Sequence, residues 1–148
     1  MATQLTADDA RQSLNDHVAS KAHEVREKYG PLIGWRELQR LLEDRTCVRY
    51  PCEIVFDAAP LDQGELAWPK PKGEHPADGF TLHIHPLLLV RLDQVPKVAL
   101  YQLVLVNYGE FATADAAEIF GANVLGLTRD EYYSVLCELA DEIGSSAP

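Results

Sequence analysis

The chain has 148 residues, of which 47% are hydrophobic and 24% are charged. These fractions are typical of one globular domain and argue against wholesale disorder or a fibrous repeat. The formal net charge of −10 disfavours nucleic acid as a partner, because phosphate groups repel an acidic surface. The longest apolar runs, at residues 87–90 and 103–106, are too short to cross a membrane.

The N-terminus and the cysteines predict a cytoplasmic protein. Residues 1–9 carry neither the basic region nor the apolar core of a secretory signal. An odd number of cysteines, three, fits a reducing compartment better than a disulfide framework. Cys47 and Cys52 lack the further ligands of a zinc knuckle, and Cys137 is predicted to pack in the core as a small apolar side chain.

The first predicted helix covers residues 7–28. Thr6 and Asp9 form the pattern of a capping box in front of it, and Gly30-Pro31 ends it. Its apolar stripe is weak and rich in alanine, so we expect residues 1–30 to form a peripheral helix. A homodimer through this alanine-rich helix is one of the partner hypotheses.

The second predicted helix, residues 35–42, is strongly amphipathic and places Trp35 on one face with three leucines. The period then changes from that of a helix to that of a strand, and residues 49–57 alternate between apolar and polar side chains. Residues 58–78 are rich in proline and are predicted to be mostly loop, with a short edge strand at 64–68.

A further strand is predicted at residues 79–85, followed by helices to the end of the chain. His83 and His85 share one face of this strand, opposite to its apolar side chains. Residues 87–92 fit either a strand or a helix. Thr113 is a plausible N-cap, and Thr128 with Glu131 forms a second capping box. The predicted helices are 95–108, 113–126 and 129–143, and residues 144–148 are expected to fray.

This order of elements predicts a single α+β domain over residues 1–148. A small antiparallel or mixed sheet of about three strands would pack against a buried helix and several further helices. The buried helix is 95–108, because it is apolar nearly all round. Its polar side chains, among them Gln102 and Asn107, would need hydrogen-bond partners if they are buried.

The helix 95–108 and the following segment 116–125 carry a resemblance to a known family. The order of elements and the small and apolar positions around Phe120 resemble the zincin superfamily, specifically minimal gluzincin-like metallopeptidases. In that family the first helix carries His-Glu-x-x-His and the second helix carries a third zinc ligand. The similarity covers residues 34–127, and residues 34–143 are taken as the zincin-like core.

The resemblance places non-ligands at every position of the zinc motif. Tyr101 stands for the first histidine, Gln102 for the glutamate and Leu105 for the second histidine. Ala116 stands where the third ligand belongs. Gln102 cannot accept a proton from water at neutral pH, so the resemblance implies a degenerate, non-catalytic relative without a cofactor.

The preferred hypothesis is therefore a cytoplasmic binding or scaffolding domain that uses a remnant cleft for an unknown protein or small ligand. The cleft is expected between the strand 79–85 and the helix 95–108. The residues predicted near it are Tyr101, Gln102, Tyr108, Glu118 and His83. Tyr132 and Tyr133 are further candidates for a pocket wall, although aromatic residues at helical spacing are more often core residues.

The alternative hypothesis is a metal-binding protein or metal-dependent enzyme. His83 and His85 are two positions apart on a strand, a spacing that suits a shared metal ion, and Glu74 in the preceding loop is the third candidate ligand. Three or four ligands are normally needed, so the pair by itself is an incomplete site.

Overall fold

The computed structural model describes residues 6–146, with side chains up to residue 144. The α+β prediction is confirmed, with five helices and three strands in this part of the chain. Short 3₁₀ segments lie between several of these elements. The elements in chain order are α1 (Ala7–Tyr29), α2 (Trp35–Glu43), β1 (Cys52–Phe56), β2 (Ala67–Pro71), β3 (Phe80–Ile84), α3 (Val95–Tyr108), α4 (Ala114–Leu125) and α5 (Arg129–Ser146).

The strands form one mixed sheet in the order β1-β3-β2. The central strand β3 pairs in parallel with β1 and antiparallel with β2. Phe80, Leu82 and Ile84 of β3 are buried, whereas the side chains between them are only half-buried. One face of the sheet therefore packs on the helices and the other faces solvent, as the alternation predicted.

Helix α3 is the centre of the core. It packs against α4, β2 and, less extensively, α2, α5 and β3. Ten of its fourteen residues are buried, which agrees with the prediction of a helix surrounded by protein. Asn107, near its C-terminal end, is 7% exposed. Its amide accepts a hydrogen bond from the Arg49 backbone N–H and donates one to the Cys47 carbonyl, both at 2.9 Å.

Helix α1 contacts α4 extensively and closes the other side of the core. Val18, Ala22 and Val25 are fully buried, although the helix was expected to be peripheral. The apolar stripe of α1 is therefore covered by α4 of the same chain. Within the described residues, no helix combines the length and the apolar composition that a membrane span requires.

A polar cluster joins the C-terminal ends of α1 and α2. Asp44 accepts hydrogen bonds from the Thr46 hydroxyl at 2.6 Å and from the Tyr29 hydroxyl at 2.7 Å. Lys28 lies 3.3 Å from the same carboxylate. These donors, the Thr46 hydroxyl first, hold the pKa of Asp44 well below its usual range.

Helices α4 and α5 pack where a glycine allows close approach. The Tyr132 side chain of α5 is fully buried, and its hydroxyl donates to the Lys97 carbonyl at 2.5 Å. The Tyr132 ring lies directly against Gly121, so a Cβ atom at position 121 would overlap with it. The turn between the two helices uses Gly126 with φ +72°, a left-handed conformation that favours glycine.

The predicted caps are confirmed. Thr6 with Asp9 and Thr128 with Glu131 exchange the two hydrogen bonds of a capping box. Thr113 accepts from the Ala116 N–H. Each of these hydroxyls satisfies a backbone donor that the first turn of a helix leaves free.

The predicted edge strand exists, but it lies three residues further along the chain, at Ala67–Pro71 instead of 64–68. Its two prolines indicated loop. An edge strand accepts them where their nitrogens face away from the neighbouring strand. Residues 86–90 form a 3₁₀ helix, which resolves the ambiguous segment 87–92. Helix α5 continues to Ser146, and residues 147 and 148 of the predicted frayed tail lie outside the described residues.

Candidate functional site

A cavity of about 400 Å³ lies between α3, α5 and the start of β2. This volume is in the range of small-molecule sites. Two helices each contribute four residues at helical spacing to its walls. The remaining lining residues are Glu118 of α4 and residues 64–68. The helical residues are Val98, Tyr101, Gln102 and Leu105 of α3, and Tyr133, Leu136, Cys137 and Ala140 of α5.

Gln102 is the most informative side chain of this cavity. The residue is 9% exposed and lines the cavity, and its amide has no hydrogen-bond partner among the described residues. A primary amide offers two donors and two acceptors. Because a buried polar group without a partner costs free energy, this amide is placed to be satisfied by something in the cavity.

Glu118 brings a carboxylate to the same cavity from α4. Its side chain is 17% exposed and lies 3.3 Å from the Arg129 guanidinium. Arg129 lies closer, at 2.9 Å, to Asp115. One arginine is therefore shared by two carboxylates, and the negative charge of Glu118 is only partly compensated.

The Tyr101 hydroxyl is the third polar group of α3 and α4 at this site. Burial, followed by the negative charge of Glu118, raises the pKa of the Tyr101 phenol. The phenol is therefore protonated at neutral pH and can donate a hydrogen bond to a bound molecule. On the opposite wall, a hydrogen bond with the Cys137 thiol raises the pKa of Tyr133.

The rest of the lining is aliphatic and aromatic. Trp68 and Tyr133 are exposed and lie at the cavity together with the half-buried Leu105 and Cys137. Cys137 was predicted to pack in the core, but its side of α5 faces the cavity instead. An apolar lining with a few convergent polar groups is the usual composition of a ligand pocket.

The outer edge of β2 is poorly suited to bind an added strand. Leu66 accepts from the His85 N–H, and the Lys72 N–H donates to Gly79, so the backbone groups of even-numbered residues face β3. The odd-numbered positions face outwards, and two of these are Pro69 and Pro71. Proline has no N–H, so this edge cannot form a regular ladder with an extended peptide.

Three of the five predicted cleft residues are brought together. Tyr101, Gln102 and Glu118 all line the cavity. The sequence analysis missed the wall contributed by α5, apart from Tyr133. The signal was present in the spacing of residues 133, 136, 137 and 140, but α5 also buries a second face around Tyr132, and spacing does not tell which face meets a cavity.

Tyr108 does not belong to the cleft. It lies seven residues beyond Tyr101, about 10 Å further along the helix at 1.5 Å per residue. There its ring packs edge-on against His17 of α1, with centroids 5.6 Å apart. The Arg49 guanidinium lies 5.7 Å from the ring centroid on the same side of the molecule.

His83 also lies outside the cleft. Its neighbours Leu82 and Ile84 are buried against the helices, so its own side chain is on the other face of the sheet. There it pairs across the strands with Val55 of β1 and Trp68 of β2. Its Nδ1 atom is buried and has no hydrogen-bond partner among the described residues.

The alternative metal ligands are not brought together. His85 uses its Nδ1 atom to accept from the Leu87 N–H at 3.2 Å, as the cap of the following 3₁₀ helix. Glu74 lies in the connection between β2 and β3, at the opposite end of β3 from His85. In residues 6–146, no group of three or more His, Cys, Asp or Glu side chains is arranged to hold a metal ion.

The cavity residues do not fit a zinc ion of the kind that zincins hold. Zinc sites in that family use two imidazoles and a carboxylate. The residues that the resemblance sets at the motif positions, Tyr101, Gln102 and Leu105, offer no imidazole, and Ala116 is fully buried. Glu118 supplies one carboxylate two positions later, which falls short of the donors that zinc requires.

No family model, curated protein or solved structure matches the chain.

Proposed function

We propose that this protein is a non-catalytic, zincin-like domain that binds a small molecule in the cavity between α3, α5 and β2. The observation that carries the proposal is Gln102, a nine-tenths buried residue that lines a cavity of about 400 Å³ and whose amide has no hydrogen-bond partner among the residues that the structure describes. Folding into the core would normally satisfy or exclude such a group. In a cavity with an apolar lining, such a group is available to fix the orientation of a bound molecule.

The absence of catalysis is supported by the groups at the motif positions. A zincin needs a general base where Gln102 stands, and an amide cannot take that role at neutral pH. The positions of both motif histidines hold Tyr101 and Leu105. The packing of α3 on α4, which brings Tyr101 and Glu118 to one cavity, supports the ancestry that the resemblance suggests.

A small molecule is favoured over a peptide because of the edge of β2. Peptides that bind beside a sheet usually add a strand and use its backbone donors and acceptors. Pro69 and Pro71 remove two donors from that edge. We also place the protein in the cytoplasm, since its three cysteines are free and a reducing compartment keeps them so.

A fragment screen by ligand-observed NMR tests the proposal. Ala140 is half-buried and lines the cavity from α5, so Ala140→Trp should fill the cavity without breaking the core. Ser134→Trp places the same side chain on an exposed position of the same helix and is the matched control. We expect fragments that bind the wild type and Ser134→Trp but not Ala140→Trp. If every hit binds all three proteins equally, the cavity is not a binding site.

Metal analysis tests the non-catalytic part separately. Plasma emission spectroscopy of the purified protein should detect zinc far below one equivalent, because the motif positions offer no imidazole. Stoichiometric zinc would refute the non-catalytic assignment while leaving the cavity itself intact.

A further inference from the structure

The charged groups that line the cavity are both acidic. Glu65 and Glu118 are lining residues, and none of the lining residues that the structure describes is Lys, Arg or His. The nearest basic group to Glu118 is Arg129, which it shares with Asp115. Arg129 carries one positive charge against two carboxylates, so the potential inside the cavity is negative.

Two aromatic residues border the same space. Tyr101 of α3 and Tyr133 of α5 line the cavity, whereas the Trp68 side chain lies on the other face of the sheet, opposite His83. The faces of aromatic rings are electrically negative and attract ammonium groups, most strongly where water is excluded. The raised pKa of Tyr101, caused by burial and then by Glu118, agrees with an environment that disfavours a further negative charge.

Gln102 provides the polar contact that is independent of charge. The residue is 9% exposed, and its amide has no hydrogen-bond partner in the part of the chain that the structure describes. A molecule that satisfies it needs at least one donor or acceptor beside its apolar body. Glu118 reaches the cavity from the neighbouring helix α4, so a ligand that carries an amine can use both residues.

We infer that the cavity selects small organic cations, namely amines with an aromatic or aliphatic body. The ammonium group lies against Glu118 and the aromatic rings, and the body occupies the apolar lining. This inference rests on the proposed function, since it specifies the ligand class of the same cavity. Anions are disfavoured, because Glu65 and Glu118 repel them.

Three indole compounds of nearly equal shape test the charge preference. Tryptamine is cationic at neutral pH, tryptophol is neutral and indole-3-acetate is anionic. Dissociation constants are measured by NMR titration of the wild-type protein. We expect tryptamine to bind about tenfold more tightly than tryptophol, since desolvation of the ammonium group cancels much of the Coulomb attraction. Indole-3-acetate should bind most weakly.

Two substitutions identify the carboxylate responsible. Glu118→Gln keeps the shape of the side chain and should reduce the preference for tryptamine over tryptophol to less than twofold. Glu110→Gln removes one charge from an exposed position outside the cavity and should leave the preference unchanged. Circular dichroism spectra of both variants check that they are folded.

The inference is overturned if tryptophol or indole-3-acetate binds as tightly as tryptamine, or if Glu118→Gln keeps the tenfold preference. It is also overturned if none of the three compounds binds. This failure is distinguishable from failure of the proposed function. If only the inference about cations fails, neutral fragments still bind to the wild type and not to Ala140→Trp. If the proposed function fails, no fragment shows this difference.

Discussion

Replacing Gln102 by leucine should make the protein more stable, and this sign is the sharpest consequence of the structure. Most substitutions in a core destabilise a protein. Gln102 is an exception, because the residue is only 9% exposed and its amide has no hydrogen-bond partner within residues 6–146. Leucine has a similar volume and no polar group to satisfy. Its side chain would extend the apolar lining formed by Val98 and Leu105.

The expected gain is modest because the cavity is open to water. An unpaired buried amide costs about 1–3 kcal/mol in mutational series. Water in the cavity offsets part of this cost, so we expect Gln102→Leu to raise the free energy of unfolding by about 1 kcal/mol. For a chain of this length, that gain corresponds to a rise of about 3 °C in Tm.

Asn107 is the matched contrast on the same helix. Its amide is 7% exposed and bonds to the Arg49 N–H and to the Cys47 carbonyl. Asn107→Ala removes the partner of both backbone groups. The bond to the Cys47 carbonyl is buried and that from the Arg49 N–H is partly buried, and a buried group left unpaired costs about 1–3 kcal/mol. We therefore expect Asn107→Ala to lower the free energy of unfolding by about 2–5 kcal/mol.

Urea denaturation followed by far-ultraviolet circular dichroism measures both free energies. The protein is first unfolded and refolded during purification, so that no small molecule remains in the cavity. Equal slopes for wild type and variants would show that only stability has changed. If Gln102→Leu lowers the free energy of unfolding by 1 kcal/mol or more, Gln102 has a partner in the native protein. The observation behind the proposed function would then be wrong.

Three further predictions follow from the core, the polar cluster and the sheet. Gly121→Ala should lower the free energy of unfolding by about 2 kcal/mol in urea titrations, because its Cβ overlaps with the buried tyrosine ring and this outweighs the gain in helix propensity. Gly144→Ala should not lower the free energy of unfolding, because a Cβ atom at position 144 meets open space. Asp44→Asn should flatten the loss of stability below pH 4, as measured by Tm against pH. The pKa of Asp44 is lower in the folded than in the unfolded state, so this carboxylate stabilises the fold above its unfolded-state pKa of about 3.9. This stabilisation is lost as the pH falls towards the folded-state pKa. An unchanged pH profile of the Asp44→Asn variant would contradict the prediction. The double substitution His83→Ala and His85→Ala should leave the metal content of the purified protein unchanged, and a loss of bound metal would favour the alternative metal site.

The local elements could be predicted from the sequence because their signals are local. The capping boxes at Thr6 and Thr128 place the starts of α1 and α5, and both are formed in the structure. The alternation of apolar residues predicted β3 correctly, and the apolar composition on all sides of the helix predicted the burial of α3. Each of these patterns spans a short stretch of sequence. The capping hydrogen bonds and the side-chain periodicity that cause it act over the same short stretch.

The strand β2 was misplaced because its identity depends on a neighbour. Pro69 and Pro71 indicate loop when they are considered alone. They are compatible with a strand only because the register with β3 turns their nitrogens outwards. His83 was assigned to the cleft for a related reason. Its alternation was predicted correctly, but which face of the sheet meets α3 is decided by packing.

The sequence by itself determined the helices, their caps, two of the strands and the central position of α3, since hydrophobic periodicity and turn chemistry act locally. Only the tertiary structure decided which buried polar groups are satisfied. Gln102 and Asn107 are both amides on α3, and nothing in the sequence distinguishes them. Packing places backbone donors and acceptors from residues 47–49 around Asn107, and it places a cavity beside Gln102. The candidate site therefore arises from contacts between distant segments, which local patterns do not encode.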